Sequence, residues 1–509
     1  MPDLQRASVR ELMAVSGVPF GTSGVRGLVS AMTDRLCFAY TSAFLQYLRT
    51  IGEFSSGTRV AIAGDLRPST PRILRACAAA VHEAGGEVVF CGHVPTPALA
   101  YYAFLQQIPS LMVTGSHIPA DRNGIKFYRP HCEVLKSDEA GILAQTVALS
   151  PDQFDAAGAL RDAAALPAAV DVATDYLDRY ARFFGPDALR GLTVGVYQHS
   201  AVGRDIVVEA LEALGSTVIP FGRSDEFVPV DTEAIRPEDM ALARDWAQAH
   251  AVDAIASTDG DSDRPLLADD KGAWLRGDIT ALLCARALGA NCVVTPVSSN
   301  TAVELCGAFP KVRRTRIGSP YVIAAMEEEA QAQPGAIICG YEANGGVILG
   351  SPVVRGSAHL EALPTRDALL PILAVLASAR NGGVAGLVSS LPPRATFSDR
   401  LSDVPPEQSG RMMARLLEGS TKDRLARLEG YFGTLAGRPI AIDTTDGLRV
   451  TFDRQVVIHL RASGNAPELR CYTEAPTAAA AEDLNKCCLA LVRDELLVGV
   501  ELAGEETVP

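Results

Sequence analysis

Val113-Thr-Gly-Ser-His-Ile-Pro-Ala-Asp-Arg-Asn-Gly-Ile-Lys-Phe127 is the stretch that decides how this chain is read. The apolar run Leu111-Met-Val113 stops at Thr114-Gly115, and an apolar strand resumes at Ile125-Lys-Phe127 after a turn at Asn123-Gly124. A strand ending in Thr-Gly-Ser-His sets the Ser116 hydroxyl at the carboxyl edge of a sheet, where open α/β folds bind their ligands. Glycine allows the sharp turn and leaves the hydroxyl approachable. A serine so placed can carry a covalent group when a base or a metal activates it, and Lys126 and His117 are the nearest candidates. A surface turn with an incidental serine is the competing reading of this stretch alone.

A second strand end shifts the balance. Asp259-Gly-Asp-Ser-Asp-Arg264 follows the apolar run Ala254-Ile-Ala256. Carboxylates at alternate positions of a tight loop can point inward together and offer hard oxygen ligands to Mg²⁺ or Ca²⁺. Like charges that close are unfavourable unless a cation lies between them.

Length and composition set the outer limits. At 509 residues the chain exceeds a single core, and 48% hydrophobic with 21% charged residues is ordinary for a globular protein. A net charge of −14 argues against nucleic acid as the main partner, but not against an anionic small molecule held by a local basic site. No apolar run approaches a membrane span; Leu369 to Ala379 is too short. The N-terminus lacks a secretory pattern, and the 11 cysteines, without a Cys-x-x-Cys pair, read as buried thiols such as Cys77, Cys284 and Cys292. We expect a cytoplasmic protein without membrane or nucleic-acid partners, monomeric or homodimeric.

Outward from the two loops, one plan repeats. Strand Val60–Ala63, a helix from about Pro71 to Ala84 and strand Glu87–Phe90 form a strand–helix–strand unit closed by Gly85-Gly86. Leu192–Val196, Gly203–Leu214 and Thr217–Ile219 repeat it, as do Asn291–Val294, Thr301–Phe309 and Val312–Ile317. Ala144 to Ala169 reads as a connector, and Val172–Phe184 as a helix with a core face. After about residue 385 the pattern changes to strands Pro439–Ile442 and Val456–Leu460 and a final helix over Thr477–Leu497. The expected fold class is α/β: three related α/β domains with mixed sheets, 1–150, 165–268 and 269–385, and a smaller C-terminal α+β domain, 386–509, around a central cleft.

Three further loops carry candidate chemistry. Pro19-Phe-Gly-Thr-Ser-Gly-Val-Arg-Gly27 sets Arg26 among glycines, a weak phosphate signal by itself. In Gly340-Tyr-Glu-Ala-Asn-Gly-Gly346, Glu342 and Asn344 lie two apart in a glycine-flanked turn and suit two sugar hydroxyls. In Arg461-Ala-Ser-Gly-Asn-Ala-Pro467, a guanidinium, the Ser463 hydroxyl, the Gly464 backbone and the Asn465 amide make a phosphate cradle, to which Arg470 can add a second cation. A group-carrying serine, a metal loop, a hydroxyl-binding loop and a phosphate loop add up to phosphoryl transfer on a phosphosugar.

The same motifs, in this order, resemble the α-D-phosphohexomutases over nearly the whole chain. Thr114–Pro119 resembles the family's Thr-[Ala/Gly]-Ser-His-Asn-Pro loop, Asp259–Arg264 its Asp-Gly-Asp-x-Asp-Arg loop, Tyr341–Gly345 its Gly-Glu-x-[Ser/Asn]-Gly loop and Arg461–Pro467 its Arg-x-Ser-Gly-Thr-x-Pro loop. Gly277-Asp278 and Thr315–Gly318 sit at further short signatures. The resemblance implies a phosphoserine at Ser116 and Mg²⁺ on Ser116, Asp259, Asp261 and Asp263. It also implies catalytic work by Arg26, His117, Lys126 and Arg264 near the transferred group. Hexose 1-phosphate and 6-phosphate would interconvert through glucose or mannose 1,6-bisphosphate, most simply with mannose, glucose and glucosamine being the alternatives. Four departures stand out: Ile118 for asparagine, Tyr341 for glycine, Asn465 for threonine, and Gly346 where many members have a histidine, so that one acid/base partner is missing.

Other classes fit less. An aspartate-nucleophile phosphatase would use Asp259-Gly-Asp261 but leave Ser116 and the 461–467 loop idle. A calcium module would need glycine where Arg264 stands and glutamate at Asp270. A non-catalytic sugar-binding protein would not need three carboxylates.

Overall fold

The strand Arg59–Gly64 lies one place in from the edge of the first sheet, with parallel neighbours on both sides. The computed structural model describes residues 5–21, 24–162, 165–379, 382–463 and 467–498. In that first sheet the order is Gly24–Leu28, Arg122–Tyr128, Ser110–Val113, Arg59–Gly64, Glu87–Phe90, and the first two strands run antiparallel to their neighbours. The helix Thr70–Glu83 forms because Pro71 fits its first turn and Ile73, Leu74, Cys77 and Val81 share one buried face. Each such side chain withdrawn from water contributes roughly 1.5–3 kcal/mol.

The chain divides into two units by its internal contacts, residues 1–294 with 318–388, and residues 295–317 with 389–509. The first unit holds two more mixed sheets. One is ordered Pro265–Ala268, Ala254–Thr258, Thr193–His199, Thr217–Arg223; in the other Cys292–Pro296 runs parallel to Ile338–Tyr341, followed by Val347–Leu349 and Leu363–Asp367. In the second unit five antiparallel strands, Ala395–Ser402, Glu468–Ala475, Val456–Ala462, Leu448–Phe452 and Pro439–Asp443, pack against helices that include Thr421–Ala436 and Ala478–Leu491. The chain thus has an α/β fold with mixed sheets.

Three segments differ from the sequence expectation. Within the expected connector, Thr146–Leu149 is a strand pairing with Gln5–Ser8, because Val147 and Leu149 alternate into the core. The helix expected over Thr301–Phe309 is only Ala302–Leu305, ended by the left-handed Gly307 and by Pro310. The last helix stops at Leu491 and continues as a π-helical turn, Val492–Leu496. Leu369–Ser378 is a buried core helix, and no single described helix is long and apolar enough to cross a membrane.

Candidate active site

Ser116 follows the strand Ser110–Val113 and holds a left-handed backbone, φ 56°, which a non-glycine residue adopts only when its surroundings enforce it. Arg67 enforces it here. Its Nη1 donates to the carbonyls of Pro119 and Arg122 at 2.7 and 3.0 Å, its Nη2 to those of Ser116 and Ile118 at 3.0 and 2.5 Å, and its Nε to Asp65 Oδ2 at 3.1 Å. Four of the five guanidinium hydrogens thereby shape one loop, and the fifth goes to Asp65. A Cβ on Gly115 would lie 2.6 Å from Arg67 Cζ, so only glycine fits beneath it. Asp65 accepts from Thr114 Oγ1 at 2.8 Å and from Gly115 N at 3.3 Å, tying the loop to the end of Arg59–Gly64.

Ser116 is 1% exposed, and its Oγ donates to Asp259 Oδ2 at 2.7 Å. The sequence offered Lys126 and His117 as its nearest activators; the hydroxyl instead points at the carboxylate loop. His117 Nδ1, 3.3 Å from Ser116 Oγ, already accepts from Arg264 Nη1 at 3.0 Å. Burial and the charges of Arg264 and Arg26 push this imidazole down to about 2, so it is neutral. Ring position and charge make His117 an orienting acceptor.

Asp259, Asp261 and Asp263 sit at the end of Ala254–Thr258, fully buried, each with an oxygen within 4.8 Å of the others. Burial and then the charges of Asp261 and Asp263 hold Asp259 well above the usual carboxylate range. For Asp263 burial works the other way from the outcome, since Arg366, Lys126 and Arg264 hold it well below that range. Asp261 Oδ1 and Asp263 Oδ1 are buried without a hydrogen-bond partner among the described residues. Orphaned carboxylate oxygens facing one space fit a hard cation, so the donor set suits a divalent metal ion. Lys126, on Arg122–Tyr128, reaches Asp261 Oδ2 and Asp263 Oδ2, both at 2.6 Å; burial opposes its charge, but the two carboxylates prevail and raise its pKa. Arg264 lies 3.8 Å from Asp263 Oδ1 and 3.9 Å from Asp259 Oδ2. Arg26, half-buried on Gly24–Leu28, is brought down to about 10 by burial and by Arg264, and so keeps its charge near neutral pH. Thr22 and Ser23 of its loop lie outside the described residues.

Glu342 and Asn344 follow the strand Ile338–Tyr341. Glu342 is 7% exposed; its Oε2 accepts from Arg366 Nη1 at 3.2 Å, while Oε1 has no hydrogen-bond partner among the described residues. Asn344, read from sequence as a direct sugar contact, is 3% exposed and engaged in its own turn. Its Oδ1 accepts from Gly346 N at 3.1 Å, and its Nδ2 lies 3.5 Å from Glu342 Oε2. It shapes the loop that presents Glu342.

In the second unit, Arg461 ends the strand Val456–Ala462 with its Nε 2.9 Å from Asp446 Oδ2. Ser463 is buried, its backbone N–H donating to the Glu468 carbonyl at 2.8 Å. The Arg470 side chain is 41% exposed, 3.8 Å from Glu468. Gly464 and Asn465 lie outside the described residues.

Sequence reasoning missed Arg67, Asp65, Thr96 and Arg366. Thr96 donates from Oγ1 to Asp261 Oδ2 at 2.6 Å and from its backbone to the Asp261 carbonyl at 3.0 Å. For Asp65 and Arg67 a signal existed: two opposite charges in Gly64-Asp-Leu-Arg-Pro, directly after an apolar strand. Thr96 and Arg366 carry no local signal, because each matters only through contacts far along the chain.

Four sequence profiles of the phosphoglucomutase/phosphomannomutase family match in order: alpha/beta/alpha domains I, II and III at residues 17–151, 174–272 and 276–394, and the C-terminal domain at 414–487. A phosphomannomutase of Salmonella muenchen is 44% identical over 94% of this chain and 97% of its own. A phosphoglucosamine mutase of Symbiobacterium thermophilum is 28% identical over 94% of this chain and 99% of its own. Among solved structures, a phosphoglucomutase/phosphomannomutase family protein from Burkholderia thailandensis has the same fold, with TM-score 0.72 and 20% identity over 95% of this chain and 98% of that one.

Proposed function

The chain belongs to the phosphoglucomutase/phosphomannomutase family, the α-D-phosphohexomutases, and from that premise we propose that it interconverts mannose 1-phosphate and mannose 6-phosphate through a phosphoserine at Ser116. Phosphohexomutases are isomerases acting by phosphoryl transfer on a phosphosugar. The observation that carries the assignment of residues is the Ser116 Oγ hydrogen bond to Asp259, which joins the serine loop to the buried aspartates. The four loops fall in four domains, 1–150, 165–268, 269–385 and 386–509.

The first transfer breaks the bond between Ser116 Oγ and phosphorus and forms one to a sugar hydroxyl oxygen, and that hydroxyl's proton passes to the serine oxygen. The resulting hexose 1,6-bisphosphate turns over, and the second transfer runs in reverse: the other sugar oxygen–phosphorus bond breaks, the Ser116 Oγ–phosphorus bond forms again, and the serine proton passes to the freed sugar oxygen. Mg²⁺ bound by Asp259, Asp261, Asp263 and the Ser116 side would neutralise charge on the transferring group. The chain's own charges are arranged for such a pair of guests. Lys126, Arg264 and Arg366 set three positive charges against three aspartates, so a dication and a dianionic phosphoryl group together leave the balance unchanged. Arg26 and Arg264 stabilise the spread charge as the phosphoryl group moves. Lys126, an ammonium, acts as a cation. His117 holds Arg264 in place.

Glu342 accepts from the sugar through Oε1, and the equatorial 3- and 4-hydroxyls shared by mannose and glucose suit a carboxylate. Arg461, Ser463 and Arg470, with Gly464 and Asn465, bind the phosphate that is not reacting. The preference for mannose is supported by the greater similarity to the phosphomannomutase relative than to the phosphoglucosamine mutase relative. The test compares kcat/KM for mannose, glucose and glucosamine 1-phosphates under one set of conditions. Mannose 1-phosphate is expected to be best and glucose 1-phosphate second; a lead for glucosamine 1-phosphate overturns the choice of sugar but leaves the mutase intact.

A further inference from the structure

Where many family members carry a histidine, this chain has Gly346, and the space beside it is taken by Arg366. A Cβ on Gly346 would lie 3.0 Å from Arg366 Cβ, 3.1 Å from its Cδ and 2.6 Å from the Asp263 carbonyl oxygen. Strand pairing brings the two segments together: Val347 pairs with Asp367 in an antiparallel pair, which leaves Arg366 diagonal to residue 346 on the same face. Arg366 is 4% exposed. Its Nε and Nη2 donate to Asp263 Oδ2 at 3.1 and 3.0 Å, and its Nη1 donates to Glu342 Oε2 at 3.2 Å. One rigid guanidinium thus grips a carboxylate of the metal loop with one edge and the carboxylate of the sugar loop with its other end. A lysine could not span both, because its single ammonium lacks the planar fork. Lys126 Nζ already occupies the approach to Asp263 Oδ2 at 2.6 Å.

We propose that Arg366 is a positioning residue for sugar recognition: it locks Glu342 with Oε2 turned inward and Oε1 presented, and makes the sugar seat and the metal loop one unit. The inference rests on the mutase reading above. The missing histidine is therefore answered not by another acid or base at 346 but by a fixed cation that decides which carboxylate oxygen meets the substrate. Its role runs through Glu342, so its loss should appear first in KM.

The test is a kinetic double-mutant cycle of Arg366→Gln and Glu342→Gln, read as kcat and KM for mannose 1-phosphate and glucose 1-phosphate at saturating Mg²⁺. Arg366→Gln is expected to raise KM by about 10-fold or more with a smaller fall in kcat, as loss of a buried bidentate cation does. In the Glu342→Gln background the same change should cost no more than about threefold, since residues acting as a unit are not additive. Independent, multiplying losses overturn the proposal. Should Arg366→Gln fail to fold by circular dichroism, Arg366→Lys replaces it, keeping the charge but not the fork; its KM should still rise and still couple to Glu342, and a wild-type KM overturns the proposal. A wild type that turns over neither sugar phosphate overturns the mutase premise instead.

Discussion

The serine–aspartate centre and the C-terminal loop place their cations under opposite conditions. In the centre, Lys126, Arg264 and Arg366 are nearly inaccessible and each faces a carboxylate of the same cluster. In the C-terminal loop the Arg461 side chain is 20% exposed beside Asp446, and that of Arg470 is 41% exposed. A buried charge must be matched within the protein, because an unmatched one costs several kcal/mol. A charge at the surface is solvated, screened and cheap to expose. The centre is therefore unforgiving of a lost charge, while the cations of the loop are cheap to rearrange. The two share one device: a buried histidine props the base of each. His199 Nε2 donates to the Thr258 carbonyl at 2.8 Å, just before Asp259, and His459 Nε2 to the Asp446 carbonyl at 2.6 Å, beside the partner of Arg461.

If the contrast is right, substitutions of Ser116 and of the aspartates cost far more than substitutions in the loop. Ser116→Ala should lower kcat at least about 10,000-fold with the fold intact, because the group-carrying atom is gone. Wild-type turnover in that variant would remove the serine from the mechanism. Asp261→Asn should cost on the order of 1000-fold in kcat, and chelation should abolish turnover until Mg²⁺ is restored; full activity in a chelator breaks the metal assignment. Asp259→Asn sharpens the point from the side of stability. Burial and its two neighbours raise the folded pKa of Asp259, so ionising it opposes folding as pH rises above the ordinary carboxylate value. In chelator near neutral pH, Asp259→Asn should therefore melt higher than wild type while being inactive, and a lower midpoint would contradict the repulsion argument.

The loop should respond more gently. Arg461→Ala should raise KM about 10- to 100-fold and lower kcat somewhat, since remote binding energy helps seat the reacting end. Raising salt from about 0.05 to about 0.5 M should raise the wild-type KM but change that of Arg461→Ala much less, because screening acts on exposed charges. An unchanged KM in Arg461→Ala denies the loop its phosphate. Smallest is the effect of the props. Burial pushes both His199 and His459 down to about 4. Below about pH 6.5 the unfolded chain takes up protons that the folded histidines refuse, so stability falls with pH down to about 4. Each histidine contributes at most about 1.4 kcal/mol per pH unit in that window. Replacing His459 by glutamine, which keeps a donor, should flatten the pH dependence of urea unfolding; an unaltered slope argues against a neutral His459.

These contrasts also mark what the sequence could tell. The convergence of Asp259, Asp261 and Asp263 was legible because alternate carboxylates of one tight loop can turn into one space. Ser116 was legible because a strand, a glycine and a hydroxyl lie next to each other. Arg67 needed the fold: four of its hydrogen bonds are to one loop some fifty residues later, and the charge pair in Gly64-Asp-Leu-Arg does not say where they go. Arg366 was hidden for the same reason, brought to Asp263 and Glu342 only by the pairing of Val347 with Asp367. Asn344 was legible as a polar loop residue, yet its isolated sequence could not distinguish a group that touches sugar from one that folds the turn. The strand Thr146–Leu149 escaped because its partner, Gln5–Ser8, lies at the far end of the first domain's sequence.

The central claim is that Ser116 carries the phosphoryl group between the two ends of a hexose. Incubating the protein with mannose 1,6-bisphosphate radiolabelled in its phosphates, digesting it and identifying the labelled peptide tests this directly. The account predicts acid-stable label on Ser116 that chases into mannose phosphate when unlabelled mannose 1-phosphate is added. Label on Asp259, or none that chases, would contradict it.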